Sequence, residues 1–170
     1  MISYALTGTP GTGKTSISEQ LNKKIVHLSD LYSEASNGKT PSGEWLIDIE
    51  KLNQIVQTLI VEDLVVEGHL AHMLEDIEQV IVLRCDPNIL KSRIEERHYS
   101  QSKIRENMEA EAMGIIYSEA AEIVDKNNLF QLDTTECTVH QAVKKLNDFF
   151  DGKVKLDETI DYSEKIMGWY

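Results

Sequence analysis

The stretch TGTPGTGKT, residues 7–15, decides the fold of this chain. Within it, residues 8–15 fit the spacing G-x-x-x-x-G-K-[ST]. A short apolar run, residues 2–7, precedes the loop, and a helical pattern carrying Ile17 and Leu21 follows it. Glycines in such a loop let backbone N–H groups turn inward around phosphate oxygens, and the N-terminus of the helix adds positive partial charge. The stretch therefore predicts a phosphate-binding loop.

Two side chains of this loop have separate roles in nucleotide chemistry. Lys14 is expected to reach the β and γ phosphates, and the Thr15 hydroxyl group is expected to bind Mg²⁺. ATP and Mg²⁺ are therefore the predicted ligands. The loop residues predicted to contact the nucleotide are Thr9, Pro10, Gly11, Thr12, Gly13, Lys14, Thr15 and Ser16.

Length and composition restrict the class of protein. A chain of 170 residues predicts one domain that buries its core without disulfides or structural metals. The chain has 17 Lys+Arg against 29 Asp+Glu, a net charge of −12, which disfavours general nucleic-acid binding. This charge suits solubility or a basic protein partner. With no signal peptide and no apolar run of membrane-spanning length, we expect a cytoplasmic protein without a membrane contact.

The order of apolar segments predicts an α/β fold. Four further strand-like runs are present at 25–28, 64–66, 80–83 and 129–132. Helical patterns cover 52–60, a segment starting at Asp86-Pro87, one long helix over 104–124, and a last helix over 139–150. Strands alternating with helices predict a five-stranded parallel sheet covered on both faces.

The polar regions are expected outside this core. Residues 34–44 are predicted to be a mobile loop. Residues 1–150 form the predicted domain, and 151–170 a C-terminal tail that either docks its aromatic side chains on the body or a partner, or frays.

The third strand ends in Glu67-Gly68-His69. The Glu67 carboxylate is placed to bind Mg²⁺ through water, and Gly68 allows close approach to the γ phosphate. His69 would orient a water molecule or the substrate phosphate. The alternatives are that Glu67 is an ordinary strand-end carboxylate and His69 a capping residue. His72 is interpreted as structural.

A basic cluster stands out in this acidic chain. Arg93 and Arg97 lie four residues apart on one helix face, and Lys103 and Arg105 follow a short link. Arginines stabilise the negative charge that spreads over a phosphoryl group during transfer. The segment 97–105 is therefore predicted to be a short lid. The alternative is surface ion pairing with neighbouring glutamates.

Other nucleotide-binding classes fit less well. A GTPase needs N-K-x-D, but residues 22–25 read Asn-Lys-Lys-Ile, and no D-x-x-G is present. Large motor ATPases usually need a longer chain. A phosphoryl-transferring kinase remains the favoured class.

These residues resemble the small adenylate kinase-like P-loop family linked to small-ribosomal-subunit assembly, which includes a nuclear adenylate kinase and its archaeal relatives. The resemblance covers most of residues 1–150. Besides the phosphate loop it rests on the segments 28–31, 46–48, 65–69 and 82–111. Its specific parts are the series L-R-x-D, R-x-x-x-R-x-Y and E-N-x-E-x-E.

The resemblance implies a nucleoside-monophosphate-kinase-like fold with a short lid. It implies Mg²⁺-dependent phosphoryl transfer from ATP to AMP, giving two ADP, together with slow ATPase activity. It also implies a role in maturation of the small ribosomal subunit, with a small-subunit ribosomal protein as partner. Two residues depart from the family pattern: Glu67 stands where some relatives have Asp, and Ser29 stands where they have Gly.

Site roles follow from the resemblance and the chemistry together. Residues 30–50 would form the monophosphate-binding segment, with Asp30, Asp48, Gly68 and His69 around the acceptor. Thr15 and Glu67 would hold the metal. Fold analogy places the ATP adenine near Thr135, with Arg97 on the phosphates. The predicted catalytic residues are Lys14, His69, Arg93 and Arg97.

Two other functions stay open. In one, the protein is an assembly factor whose binding to a ribosomal protein is switched by ATP, and kinase activity is incidental. In the other, it is a P-loop kinase of another small-molecule acceptor.

Overall fold

The computed structural model describes residues 3–170; Ile2, at the start of the first predicted strand, lies outside them. The described residues form these strands in chain order: β1 (Tyr4–Gly8), β2 (Lys24–His27), β3 (Ser36–Lys39), β4 (Trp45–Ile47), β5 (Leu64–Glu67), β6 (Gln79–Arg84) and β7 (Leu129–Asp133). Five of them make one parallel sheet in the order β2-β5-β1-β6-β7. The predicted five-stranded parallel sheet is confirmed.

The helices of the described chain are α1 (Lys14–Ser18), α2 (Ile49–Gln57), α3 (Pro87–Glu95), α4 (Gln101–Ala112), α5 (Ile115–Ile123) and α6 (Val139–Phe150). Short 3₁₀ helices cover Leu28–Leu31, Ala71–Met73, Lys126–Asn128 and Ser163–Trp169. No helix within residues 3–170 is long and apolar enough to cross a membrane.

Both faces of the sheet are buried. Side chains alternate between faces along a strand, so Val80 and Val82 join one apolar cluster while Ile81 and Leu83 join the other. The first cluster packs against α2 and α5, and the second against α1 and α6. This two-sided burial explains why the strands are nearly continuous apolar runs.

The first helix is shorter than predicted. It ends at Ser18, so Leu21 lies beyond it, although Leu21 is still buried in the core. The Ser18 hydroxyl donates to the carbonyl of Thr15, a local bond that competes with continued helix formation. Leu21 therefore packs into the core from the turn that follows α1.

The single long helix predicted over 104–124 is wrong, because the chain forms α4 and α5 with a break between them. Gly114 lies at the break with φ +62°, a left-handed conformation that strains other residues. The apolar periodicity on both sides hides this break in the sequence.

The loop predicted over 34–44 is partly a strand. β3 and β4 form an antiparallel hairpin in which Ser36 faces Ile47 and Lys39 faces Trp45. The Lys39 ammonium lies 4.2 Å from the centroid of the Trp45 ring. Because β3 is polar and reaches no core, its sequence lacks the apolar signal of a strand. We call residues 36–47 the hairpin arm.

The C-terminal tail lies on the body of the domain. Leu156 is buried in the core, and Trp169 packs against a small apolar cluster of Ile94, Ile104 and Met108. The ring of Tyr170 lies 4.7 Å from the Arg105 guanidinium. The tail therefore covers the junction of α3 and α4.

Candidate active site

Functional side chains gather at one edge of the sheet. The phosphate loop follows β1, His27 ends β2, Glu67 ends β5 and Arg84 ends β6. The carboxyl ends of parallel strands share one edge, and that edge is where open α/β sheets bind ligands. The topology thus brings together residues that lie up to 76 positions apart.

The phosphate loop is held closely against α3. Gly11 has φ +95°, and a Cβ atom there would lie 2.5 Å from Cγ2 of Ile94. The buried Lys14 ammonium donates to the carbonyl oxygens of Gly8 (2.8 Å) and Thr9 (3.2 Å). The loop therefore has the glycine-dependent geometry and the interior lysine that a phosphate cradle needs.

The pKa of Lys14 is lowered to about 8, chiefly by burial. The positive charge of Arg97 acts in the same direction, while the carboxylates of Glu67 and Glu111 oppose the shift. An anion bound in the loop would favour the charged form of the lysine and raise this pKa again.

A cavity of about 680 Å³ opens beside the loop. This volume lies in the range typical of small-molecule sites. Eight of the predicted site residues line it: Thr9, Pro10, Lys14, Thr15, Glu67, Gly68, His69 and Arg97. Arg93 and Thr135 do not line it. We call this space the large cavity.

A second cavity, of about 240 Å³, lies on the other side of the loop. Its walls include loop residues Gly11, Thr12, Gly13 and Ser16, together with Arg93 and Thr134. We call it the small cavity. Arg97 lines both cavities and therefore lies at the boundary between them.

Arg93 is fixed by the turn after β7. Its guanidinium donates to the carbonyl oxygen of Thr134 at 2.8 Å and to the Thr134 hydroxyl at 3.2 Å. Thr134 also donates to the carbonyl of Thr12 at 3.0 Å. Arg93 therefore forms part of the wall of the small cavity. The predicted common helix face is wrong, because α3 ends at Glu95 and Arg97 lies in the turn that follows.

The structure places Thr135 away from the cavities. Its hydroxyl donates to Asp133 and accepts the N–H of Asp86. Tyr162 of the tail also contacts this hydroxyl, at 3.0 Å. Its neighbour Thr134 lines the small cavity instead, and the nucleotide contact of Thr135 stays a prediction.

The residues proposed to hold a metal face the large cavity. The Glu67 side chain is 5% exposed, and one carboxylate oxygen lies 2.7 Å from Nδ1 of His27. Thr15 is exposed at the start of α1. The described residues form no group of three His, Cys, Asp or Glu side chains that would cage a metal. One carboxylate and one hydroxyl fit Mg²⁺, which takes few protein oxygens and completes its shell with water and substrate phosphates.

His69 and His72 have different surroundings. His69 lies at the large cavity with Nδ1 3.3 Å from the Tyr32 hydroxyl. More than a third of the surface of His69 is exposed. Partial desolvation in the cavity, together with the charges of Lys14, His72 and Lys103, nevertheless lowers the pKa of His69 to about 4. His69 is thus neutral near pH 7. His72 is buried, with its ring nitrogens 3.0 Å from Thr7 and 2.9 Å from Glu119, as expected of a structural residue.

Neither aspartate predicted to surround the acceptor lines the large cavity. Asp30 is exposed in the 3₁₀ helix Leu28–Leu31. Asp48 caps α2 by accepting the N–H of Lys51, and this hydrogen bond lowers its pKa. Within the predicted segment 30–50, other residues line the cavity, namely Tyr32, Glu44, Trp45 and Ile47.

Sequence reasoning missed a buried network below the loop. Glu111 accepts hydrogen bonds from the Thr9 hydroxyl (2.6 Å) and from Nε of Arg84 (2.9 Å). Arg84 also donates to Gln131 and to the carbonyl of Ile160 in the tail. Arg84 is the arginine of the L-R-x-D series, and Glu111 is the last glutamate of the E-N-x-E-x-E series. Sequence alone gave these residues no role, because their partners lie far along the chain.

Comparisons with known proteins agree with this architecture. A family model described as an AAA domain matches residues 5–114. A "Putative adenylate kinase" from Pyrococcus abyssi is 37% identical over 166 residues, covering 94% of this chain and 91% of its own. A protein of the same description from Methanococcus maripaludis is 32% identical, covering 88% of each chain. A shikimate kinase from Bacteroides thetaiotaomicron has a similar fold, with a TM-score of 0.51 at 16% identity over 88% of this chain and 98% of its own.

Proposed function

This chain belongs to the family of P-loop kinases that includes these archaeal proteins, and from that premise we propose that it is an adenylate kinase. It transfers a phosphoryl group from ATP to AMP and yields two molecules of ADP. The relatives support the kinase class, and the choice of AMP as acceptor is the proposal.

The observation that carries the proposal is the position of Arg97 between two cavities. A transfer between two nucleotides needs two binding sites that meet where the phosphoryl group passes. The small cavity follows the outer side of the phosphate loop, and the large cavity contains Lys14 and Thr15. A guanidinium at the boundary can stabilise the charge that develops on the phosphoryl group in transit.

On the donor side, the loop N–H groups and Lys14 bind the ATP phosphates, and Thr15 and Glu67 hold Mg²⁺. When bound, Mg²⁺ neutralises phosphate charge and orients the β and γ oxygens. Arg93, fixed by Thr134, lines the small cavity on the side proposed for the ATP base.

On the acceptor side, no general base is required, because a phosphate oxygen is already a nucleophile near neutral pH. The chain contributes position and charge, the terms that dominate phosphoryl transfer. The neutral His69, beside Tyr32, can accept a hydrogen bond without adding charge to the site. The predicted lid, residues 97–105, and the hairpin arm both border the large cavity and are joined by the pair Lys103–Glu44. Their closure over a bound acceptor would limit the entry of water.

Slow ATP hydrolysis and a ribosomal role belong to the same proposal as secondary activities. Hydrolysis would follow when water enters the large cavity in place of AMP. The net charge of −12 suits a basic protein partner such as a ribosomal protein. Trp169 is packed in the small apolar cluster on the domain, so this side chain is a poor candidate for a partner anchor.

The test measures ADP formation from ATP and Mg²⁺, with and without AMP, and then with the other nucleoside monophosphates. We expect strong stimulation by AMP and two ADP for each ATP consumed. Hydrolysis that is indifferent to every monophosphate would contradict the proposal and favour the ATP-switched assembly factor. Stimulation by a non-nucleotide acceptor in a wider screen would favour a different small-molecule kinase.

A further inference from the structure

Two buried asparagines of this protein differ in one respect. Asn53 on α2 is 9% exposed, and its side-chain oxygen accepts the N–H of Glu75 at 2.9 Å. Asn107 on α4 is 8% exposed, and its amide nitrogen has no hydrogen-bond partner among the described residues. Asn107 also lines the large cavity. One asparagine therefore has a structural partner. The other lines the large cavity, while its amide nitrogen is buried without a partner among residues 3–170.

An unpaired buried amide calls for a physical explanation. Buried polar groups in folded proteins nearly always have a partner, and leaving a donor unpaired destabilises the protein. An apolar side chain at position 107 would avoid that cost, so the amide does not stabilise the folded protein in the absence of a ligand. A ligand that enters the large cavity can supply the missing partner.

The position of Asn107 on α4 indicates the chemistry of that ligand. Lys103 and Glu111 lie four residues before and after it, so the three side chains share one face of the helix. Lys103 lines the large cavity, and Glu111 binds the hydroxyl of Thr9 in the phosphate loop. This face of α4 is therefore the one that meets the loop.

The cavity that Asn107 lines carries the cations Lys14, Arg97 and Lys103 and the carboxylates Glu44, Glu67 and Glu119. Since Lys103 pairs with Glu44, Lys14 and Arg97 are the cations that would hold an anion there. An amide N–H is a neutral donor that can bind a phosphate oxygen between such cations. The nitrogen is buried in the ligand-free protein, and because the terminal torsion of an asparagine side chain is broad, rotation of the amide can turn the nitrogen toward a ligand.

We propose that Asn107 is a phosphate-binding residue whose side-chain amide donates a hydrogen bond to a phosphate oxygen of the nucleotide in the large cavity. This inference rests on the proposed function only in taking the ligand to be a nucleotide. It requires no particular acceptor.

The test compares Asn107→Leu with the matched control Asn53→Leu by calorimetric titration with inorganic tripolyphosphate and with ATP. Tripolyphosphate carries phosphate groups but no base or sugar. Asn107→Leu should weaken binding of both ligands about tenfold, the size expected for a hydrogen bond to a charged group. The unfolding temperature of the ligand-free variant should be unchanged or higher, because an unpaired donor has been removed.

The control should show the opposite pattern. Asn53→Leu should lower the unfolding temperature, because the N–H of Glu75 loses its acceptor, and should leave tripolyphosphate affinity unchanged. Asn107→Ala, which adds no bulk, is the second variant and should show the same loss of affinity as Asn107→Leu.

Unchanged tripolyphosphate affinity in both Asn107 variants would overturn the inference. So would a loss confined to ATP, because the amide would then contact the base or the sugar. These outcomes are separate from the test of adenylate kinase activity, since tripolyphosphate binding does not depend on which acceptor the enzyme uses.

Discussion

The phosphate loop and the hairpin arm border the same cavity but are held in place differently. Behind the loop, Glu111 binds Arg84 and Thr9, and the side chains of the ion pair are each 3% exposed. The arm reaches the opposite wall through Glu44 and Lys103, whose side chains are 53% and 36% exposed.

This difference distinguishes a fixed site from a movable one. Breaking a buried ion pair leaves an uncompensated charge in the protein interior, whereas an exposed pair contributes little to stability. The loop is therefore held firmly in place, and we expect the arm to open at small cost, which in the proposed function would admit and release the acceptor. The following changes test this contrast, from the largest expected effect to the smallest.

Lys14→Ala removes the cation at the centre of the fixed region. We expect turnover to fall by about a thousandfold or more, because the charge on the transferred phosphoryl group loses its main stabilising contact. ADP formation measures the loss, and circular dichroism checks that the fold is retained. Turnover near the wild-type rate would contradict a catalytic phosphate loop.

Glu111→Gln breaks the buried pair while keeping the shape of the side chain. The expected loss is about 3–5 kcal/mol in the free energy of unfolding, because Arg84 keeps a buried charge without its carboxylate. Urea denaturation measures this change. A loss below about 1 kcal/mol would show that the loop is supported no more firmly than the arm.

Raising the pH should weaken ATP binding through Lys14. Its pKa of about 8 lies below the ordinary value, so the free protein loses this positive charge as the pH rises through 8. Affinity should be greatest below pH 8 and about tenfold weaker at pH 9, with a proton taken up on binding. Calorimetry in buffers of different ionisation enthalpy measures both effects; equal affinity at pH 7.5 and pH 9 would argue against a titrating Lys14.

The same shift also affects stability, with the sign that follows from linkage. Between pH 8 and the pKa of lysine in the unfolded chain, the unfolded state binds more protons than the folded state at this position. The contribution of Lys14 to folding therefore becomes more favourable as the pH rises through that window.

Glu44→Gln should have the smallest effect on stability. Since the pair with Lys103 is exposed, we expect a change of about 1 kcal/mol or less in the free energy of unfolding. The KM for AMP should change several-fold while the KM for ATP stays constant. Glu34→Gln, an exposed acid just before the arm, is the matched control and should change neither constant. A shift in both KM values would show that the arm is coupled to the donor side.

Much of the site was predictable because it lies in continuous sequence. The loop at 8–15 and the motif at 67–69 each follow a buried strand, and parallel strands place their carboxyl ends together. The register of the sheet brings Glu67 to the same edge as the loop. Local spacing could not assign Asp48 or Thr135, because the choice between capping a turn and facing a cavity depends on packing.

The sequence by itself determined the phosphate loop, the five-stranded sheet and the basic cluster, because backbone geometry and side-chain periodicity are local properties. Only the tertiary structure decided which side chains meet across the fold. It placed Glu111 beneath Thr9, Arg97 between two cavities and the tail over α3 and α4. It also left the amide nitrogen of Asn107 without a partner among residues 3–170. Those contacts join residues distant in the chain, and they form only when burial of both sheet faces fixes the helices in place.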